Sequence, residues 1–574
     1  MAQSFTTPTT PALGAGSVRS WCIAFAIVSF GTALSLVMSG YIGGWGNNYY
    51  HLPILAGLYN EPQFSGDMFI QSLRFYSSGF WQVLSDRVHG RDVYWILFLF
   101  QILSRMLLFA GMLAWADLLG IKASKEQLVF VTLIALSSIL QGFAKAGAGG
   151  LLIDGFTQSE LANSTTLFAL AWAARGRITA AFVMNGLTFF LNAFVAVWTV
   201  VPLLFIICTQ WRQGRWTLRS LSKPAALGLA GAAFLAAPVV YNIMTNPYTE
   251  ATPAFGYIDY LKAFYPYHFL VSSLPLQDLW QFAVIFLCGA IASSMLRQPQ
   301  SYLIPALCGA VVVWVIGTFL PALTDARMLL NLHLLRSGTT VHLLCAIGIA
   351  ALTTRWTFSS AESDRHVWAP AMVALSCTFK TMLIPLLLVL GIRSLWPVVK
   401  TPWRYYAAPA FLAAAALFIA VHIYGIAVWE RNALNSRNDW EALAEWAQTN
   451  TPLKAVFLMP PGISRGTGQM LPPSNEDQDR LFEGSEVFPY FSHRQSWVFT
   501  PSGAAVMWAP AYYWTWRNRL TEVRNLKNLP DRLNYAARQG ISYVVDGCLQ
   551  SSPQAPVAQF GNLCVFKPSE STPS

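Results

Sequence analysis

The residues best suited to chemistry lie in a stretch far richer in polar and aromatic groups than a span connector needs. It reads Trp45-Gly-Asn-Asn-Tyr-Tyr-His51-Leu-Pro and then Tyr59-Asn-Glu-Pro-Gln-Phe-Ser-Gly-Asp67. An acid such as Asp67, held beside Asn48 and His51, can take a proton from an acceptor hydroxyl or ligate a divalent cation through its oxygens, with Mg or Mn as the ions in view. The same carboxylate would equally cap a helix over Met68–Phe75, because Asp accepts hydrogen bonds from free backbone amides.

A second cluster, Asp154-Gly-Phe-Thr-Gln-Ser-Glu160, follows Gly147-Ala-Gly-Gly150 and runs into an apolar segment. An acid at a helix start suits the macrodipole. Glu160, however, falls where its turn enters lipid, and an ionisable group there usually faces a cavity. Glu160 is therefore a second catalytic candidate, and Asp154 a binding group or a metal ligand together with Asp67. Two further loops supply imidazoles and a cation: Tyr265-Pro-Tyr-His268, and Asn331-Leu-His333-Leu-Leu-Arg336. The Arg336 guanidinium can meet a lipid-carrier phosphate through paired hydrogen bonds, or else snorkel to the interface. There is no Walker A loop, no GxGxxG after a strand, no HExxH and no paired CxxC, so ATP-driven transport, dinucleotide chemistry and a thiolate zinc site lack support.

The elements that must position these loops are membrane spans. Of 574 residues, 55% are hydrophobic and 11% charged, and the mean hydropathy is +0.44, which no soluble protein matches. A bilayer core about 30 Å thick needs roughly 20 apolar residues per helix, and such runs recur to about Val428 without the alternation of barrel strands. The runs fall at 20–43, 93–117, 126–142, 159–174, 178–194, 195–210, 224–243, 276–296, 302–321, 337–353, within 366–398, and at 405–428. Read as two short helices flanking Lys380, the stretch at 366–398 brings the count to about 13.

The net charge of +10 comes from basic residues in short connections, such as Arg212, Arg215, Arg219 and Lys223. This is the positive-inside pattern and implies no nucleic-acid partner. Residues 1–19 read as a disordered cytoplasmic terminus and 20–428 as the transmembrane domain. Segment 44–92 is then an external loop, joined on that face by 143–158, 244–275 and 322–336. Lys400 and Arg404 ahead of the last span send it outward, so 429–574 is an external domain.

In that domain Asn438-Asp-Trp-Glu441 signals a helix start, ended by Asn450-Thr-Pro, and Pro460–Gly484 reads as a loop. Strands are expected at Lys454–Met459, Tyr543–Val545 and Cys564–Lys567, with helices at Tyr512–Asn525 and Asp531–Gln539. The fold class is thus an α-helical polytopic membrane protein with a small C-terminal α/β domain. Cys548 and Cys564 fall on neighbouring strands and can form a disulfide, which requires an oxidising compartment. The other six cysteines lie in apolar runs.

This plan resembles the GT-C superfamily of membrane glycosyltransferases, in the manner of protein mannosyltransferases and the aminoarabinose transferase, and more closely a bacterial branch of it. The matching pieces are Asn-Asn-x-x-His-Leu-Pro at 47–53 with Asp67, Gln158-Ser-Glu160-Leu-Ala ahead of a span ending at Gly176-Arg177, His333-Leu-Leu-Arg336, and Trp446-x-x-x-Asn-Thr-Pro452 with the Val-Phe-Leu that follows. The first loop has a single Asp where mannosyltransferases pair acids, and Asn192 stands where related sequences tend to carry histidine.

The resemblance implies a transferase in a bacterial inner membrane that moves a sugar from a polyprenyl-phosphate donor to a lipid, glycan or protein acceptor on the external face. In it Asp67 would be the base, Arg336 a phosphate clamp, and Asn48, His51, Asp154, His268 and His333 pocket groups. A lipid-linked glycan flippase and a catalytically silent assembly protein remain as alternatives.

Overall fold

The computed structural model describes residues 18–377, 383–395, 404–463, 471–473, 475–548 and 554–569. The first span is α1 (Val18–Ser39). The segment after it is no open loop: it folds into α2 (Asn48–Leu55), α3 (Met68–Ser72) and α4 (Gly79–Leu84), joined by short 3₁₀ turns. Its apolar side chains explain this, since Leu52, Ile54, Leu55, Leu58, Phe64 and Trp81 are all buried. Burying a side chain of this kind contributes about 1.5–3 kcal/mol.

The bundle continues through α5 (Asp92–Leu118), α6 (Ser124–Leu136), α7 (Gln158–Ala174), α8 (Ile178–Leu191), α9 (Ala193–Arg212) and α10 (Leu218–Met244). It is completed by α11 (Tyr257–Phe264), α12 (Leu276–Met295), α13 (Leu303–Leu323), α14 (Arg327–Leu330) and α15 (Gly338–Thr357). Helix α7 packs against α5, α8 and α9, and α15 against α12 and α13. Among the described residues, eight helices are long and apolar enough to cross a membrane.

Helix α6 stops at Leu136, short of the run read to 142. Residues beyond it turn back on themselves, with Gln141 bridging Leu152 and Phe143 bridging Gly150. Gly142 and Gly147 take left-handed conformations there, which the apolar composition of the run did not reveal.

Within 366–398 the chain forms α16 (Ala369–Cys377) and α17 (Leu383–Leu395). Arg393 near the end of α17 pairs with Asp364, just before α16, at 2.7 Å, so the two helices double back as a hairpin. Lys380, Lys400 and residues 1–17 lie outside the described residues.

Helix α18 (Arg404–Asn450) runs unbroken for 47 residues, about 70 Å at 1.5 Å per residue. The helix start expected at Asn438 does not exist. Trp440, Leu443, Ala444 and Ala447 are buried in the C-terminal domain, and their packing carries the last span straight through the capping signal.

The domain itself is a five-stranded sheet. Its strands are β1 (Val456–Leu458), β2 (Gln495–Ser496), β3 (Tyr543–Gly547), β4 (Ala558–Phe560) and β5 (Leu563–Phe566), in the order β2-β1-β3-β5-β4. Strand β1 is parallel to β2 and β3, whereas β5 is antiparallel to β3 and β4.

Helices α19 (Glu476–Phe482), α20 (Phe488–Ser492), α21 (Tyr513–Arg524) and α22 (Leu529–Gln539) surround the sheet. Helix α19 occupies part of the expected loop 460–484, and the Asn475 side chain caps it. One continuous apolar core runs from the first loop, through Tyr260 on α11, to Phe457, Trp516 and Val545.

Candidate functional site

Asp67 precedes the five-residue α3, and its Oδ1 accepts from the Ile70 amide at 3.1 Å. The capping role is therefore real. The same residue also lines a cavity of about 170 Å³ between the first loop and the C-terminal domain. The opposite walls come from Gln495 and Ser496 on β2, Trp497, Tyr512, and Arg519 on α21. Burial pushes the Asp67 carboxyl up to about 6, against the Ile70 amide, the Arg519 charge and the Phe69 amide, which hold it down.

Arg519 lies over the Trp497 ring, 3.6 Å from its centre, and donates to the Trp497 carbonyl at 3.2 Å. Trp497 is fixed in turn through its Nε1, which donates to Tyr535 Oη at 3.0 Å.

A second neighbourhood gathers residues from the other loops. His51 is buried and stacks on Trp81 at 4.1 Å. Trp81 Nε1 donates to Gln158 Oε1 at 2.9 Å, and Gln158 Nε2 donates to Tyr76 Oη at 3.1 Å. Tyr76 Oη lies 3.5 Å from His51 Nε2, and burial lowers the His51 imidazole to about 3, leaving it neutral near pH 7.

Arg336 lies close enough to the Tyr76 and Tyr265 phenols to feel their charge. Its buried Nε has no hydrogen-bond partner, and the side chain has no carboxylate partner, among the described residues. Tyr265 stacks on His268 at 4.0 Å, and His268 Nδ1 donates to the Gly147 carbonyl at 2.8 Å. Gly147 is required here, because a Cβ would come within 2.5 Å of the Leu335 carbonyl and its φ is +85°. The glycine stretch thus lets the second loop lie directly on the Arg336 turn. Tyr50 links the two neighbourhoods, stacking towards Tyr76 and meeting Phe69 edge-on.

The remaining candidates go elsewhere. Glu160 forms an ion pair with Arg105 at 2.9 Å, both side chains being buried, and Ser104 donates to its other oxygen at 3.2 Å. The space beside Glu160, expected to be an open cavity, holds a counter-ion from α5. Asp154 lies near the same arginine, and burial raises its carboxyl.

His333 is packed between Phe194 and Phe269 and lies 3.2 Å from Met507 Sδ. Asn48 donates to the Trp45 carbonyl at 2.6 Å. Among the described residues no three His, Cys, Asp or Glu side chains converge. Asp67 is the one carboxylate lining its cavity, whereas Asp154 lies near Arg105. Cys548 and Cys564 are joined by a disulfide.

Sequence reasoning missed Arg519, Trp497 and Tyr512, because they enter the site only through the docking of α21 and β2 on α3. The dense Trp and Tyr content of 497–516 was the one available signal.

Fold and site together define a polytopic membrane protein whose first large loop is roofed by an α/β domain, with a polar cavity at their junction. No protein-family model matches the chain, and no curated protein does. Among solved structures, the chain is similar to apo ArnT from Cupriavidus metallidurans, at 14% identity over 97% of this chain and 99% of that one, with a TM-score of 0.42.

Proposed function

We propose that this chain is a membrane glycosyltransferase that moves a sugar from a polyprenyl-phosphate donor to a hydroxyl acceptor at the external face of a bacterial inner membrane. The observation that carries this reading is Asp67. Its carboxyl is held up at about 6 beside a cavity with polar and aromatic walls, where a general base operating near neutral pH belongs.

In the transfer, a bond forms between the acceptor oxygen and the anomeric carbon as the bond from that carbon to the phosphate oxygen breaks. The acceptor proton passes to Asp67, and the electron pair leaves on the phosphate. Arg336, a cation without a carboxylate partner among the described residues, receives the developing phosphate charge. The neutral His51, Gln158 and Tyr76 supply donors and acceptors around it. The Cys548–Cys564 disulfide supports placing the C-terminal domain outside the cytoplasm.

The test is transfer from a polyprenyl-phosphate sugar in nanodiscs. Asp67→Asn should lower turnover about 10²- to 10⁴-fold, and Arg336→Lys should raise the donor KM. Full turnover by a folded Asp67→Asn protein removes the base and this reading with it.

A further inference from the structure

We infer that the cavity between Asp67 and Arg519 is a subsite for a single uncharged pyranose ring, held by a carboxylate on one side and a guanidinium on the other. The inference rests on the transferase reading for its role, that of seating the acceptor sugar. The binding itself stands on the cavity alone.

Asp67 and Arg519 line the same cavity and feel each other's charge, yet they form no ion pair. Each is held back by its own support: Asp67 by the Ile70 amide, Arg519 by the Trp497 ring and carbonyl. Opposite charges kept apart by fixed partners present an acceptor and a set of donors aimed into the gap. A hydroxyl fits that gap well, because it can donate to the carboxylate and accept from the guanidinium.

Size and charge narrow the ligand further. At about 170 Å³ the cavity is on the scale of one hydroxylated ring. It is too small for a disaccharide or a drug-sized ligand, whose pockets run from about 300 Å³. Asp67 and Arg519 are the only charged residues among its lining, so its formal charge sums to zero. A phosphate dianion would meet the carboxylate as a like charge. The two anchors come from different parts of the chain, so the C-terminal domain supplies recognition and is more than a cap.

The experiment uses full-length protein in lipid nanodiscs free of maltoside detergent, with methyl glucopyranoside as probe and saturation-transfer NMR as readout. Expected are a signal for the wild-type protein, at least a tenfold loss in Arg519→Met, and no competition by inorganic phosphate. Thr515→Phe fills the cavity while keeping Asp67 and Arg519 in the chain and should abolish the signal too, so removal of the Arg519 side chain from the Trp497 ring cannot be the sole cause. Full signal in either variant, or displacement by phosphate, overturns the subsite. Ring binding without any transfer would instead sink the transferase reading and leave the subsite standing. Transfer unaffected by Arg519→Met and Thr515→Phe would leave the transferase reading standing and overturn the acceptor-seating role of the subsite.

Discussion

Arg105 on α5 and Glu160 on α7 form an ion pair at 2.9 Å with neither side chain open to solvent. Arg105 also donates to the Ile153 carbonyl at 2.6 Å, so the pair ties both helices to the loop that carries Asp154. Removing one partner of a buried pair strands the other charge, at about 3–5 kcal/mol, whereas replacing both with apolar groups is often neutral. Glu160→Gln and Arg105→Met should each lower the thermal unfolding midpoint sharply, and Arg105→Met/Glu160→Leu should recover most of it. Per folded molecule, Glu160→Gln should keep its turnover. A specific loss of turnover at unchanged stability would return Glu160 to the chemistry.

Asp67 makes a pH prediction of definite sign. Its carboxyl titrates at about 6 when folded, against an ordinary value of 3.8. The basic form therefore accumulates through pH 6, and kcat/KM should climb about tenfold per pH unit below it and level off above.

Stability runs the other way. Between pH 3.8 and about 6 the folded state keeps a proton that the unfolded state has released, so stability falls as pH rises through that window. Asp67→Asn should flatten both profiles while preserving the cap, because Asn accepts the Ile70 amide equally well. A rate profile unchanged in the variant contradicts the base assignment.

The spans were legible because lipid allows only one solution for a long apolar run, a helix that satisfies its own backbone. What the sequence could not show is whatever depends on partners far along the chain. Asp67 could be read as a cap or as a functional acid. The cap is present, and only the docking of Arg519 and Tyr512 sets the same carboxylate beside a cavity.

Glu160 looked like a cavity residue because its counter-ion, Arg105, sits 55 positions earlier inside a run dominated by leucine and phenylalanine. Asn438 carried a sound capping signal, but such signals act only at free helix ends. Here the burial of Trp440 and Ala447 keeps the helix going. Strands β2 and β4, two and three residues long, are too short for alternation to register.

Glu486 fastens the first loop to the C-terminal domain, its Oε1 accepting from the Gly46 amide at 2.8 Å. Burial pushes its carboxyl up to about 8, against its own amide, the Gly46 amide and Tyr49, which hold it down, while Glu483 adds repulsion. The group is therefore protonated in the folded state at neutral pH. Stability contributed by this contact should fall as pH rises from about 4.5 to about 8, because the unfolded chain releases the proton first. Glu486→Gln keeps the bond to Gly46 and should remove that slope in melts taken from pH 5 to 9. Parallel slopes for wild type and variant would show that another group governs the junction.

The Cys548–Cys564 bond closes a loop of sequence separation 16 across the paired strands β3 and β5. By the chain-entropy account a loop of this length stabilises by about 3 kcal/mol. For a domain of this size that corresponds to a fall of roughly 5–12 °C in the unfolding midpoint on reduction. Cys548→Ser, Cys564→Ser and the double variant should all melt at the reduced wild-type temperature, since each removes the same constraint. In intact cells neither thiol should react with a membrane-impermeant maleimide until a reductant is added, after which both should. Labelling that appears only once the membrane is breached would place the domain in the cytoplasm, where neither the disulfide nor an external acceptor belongs.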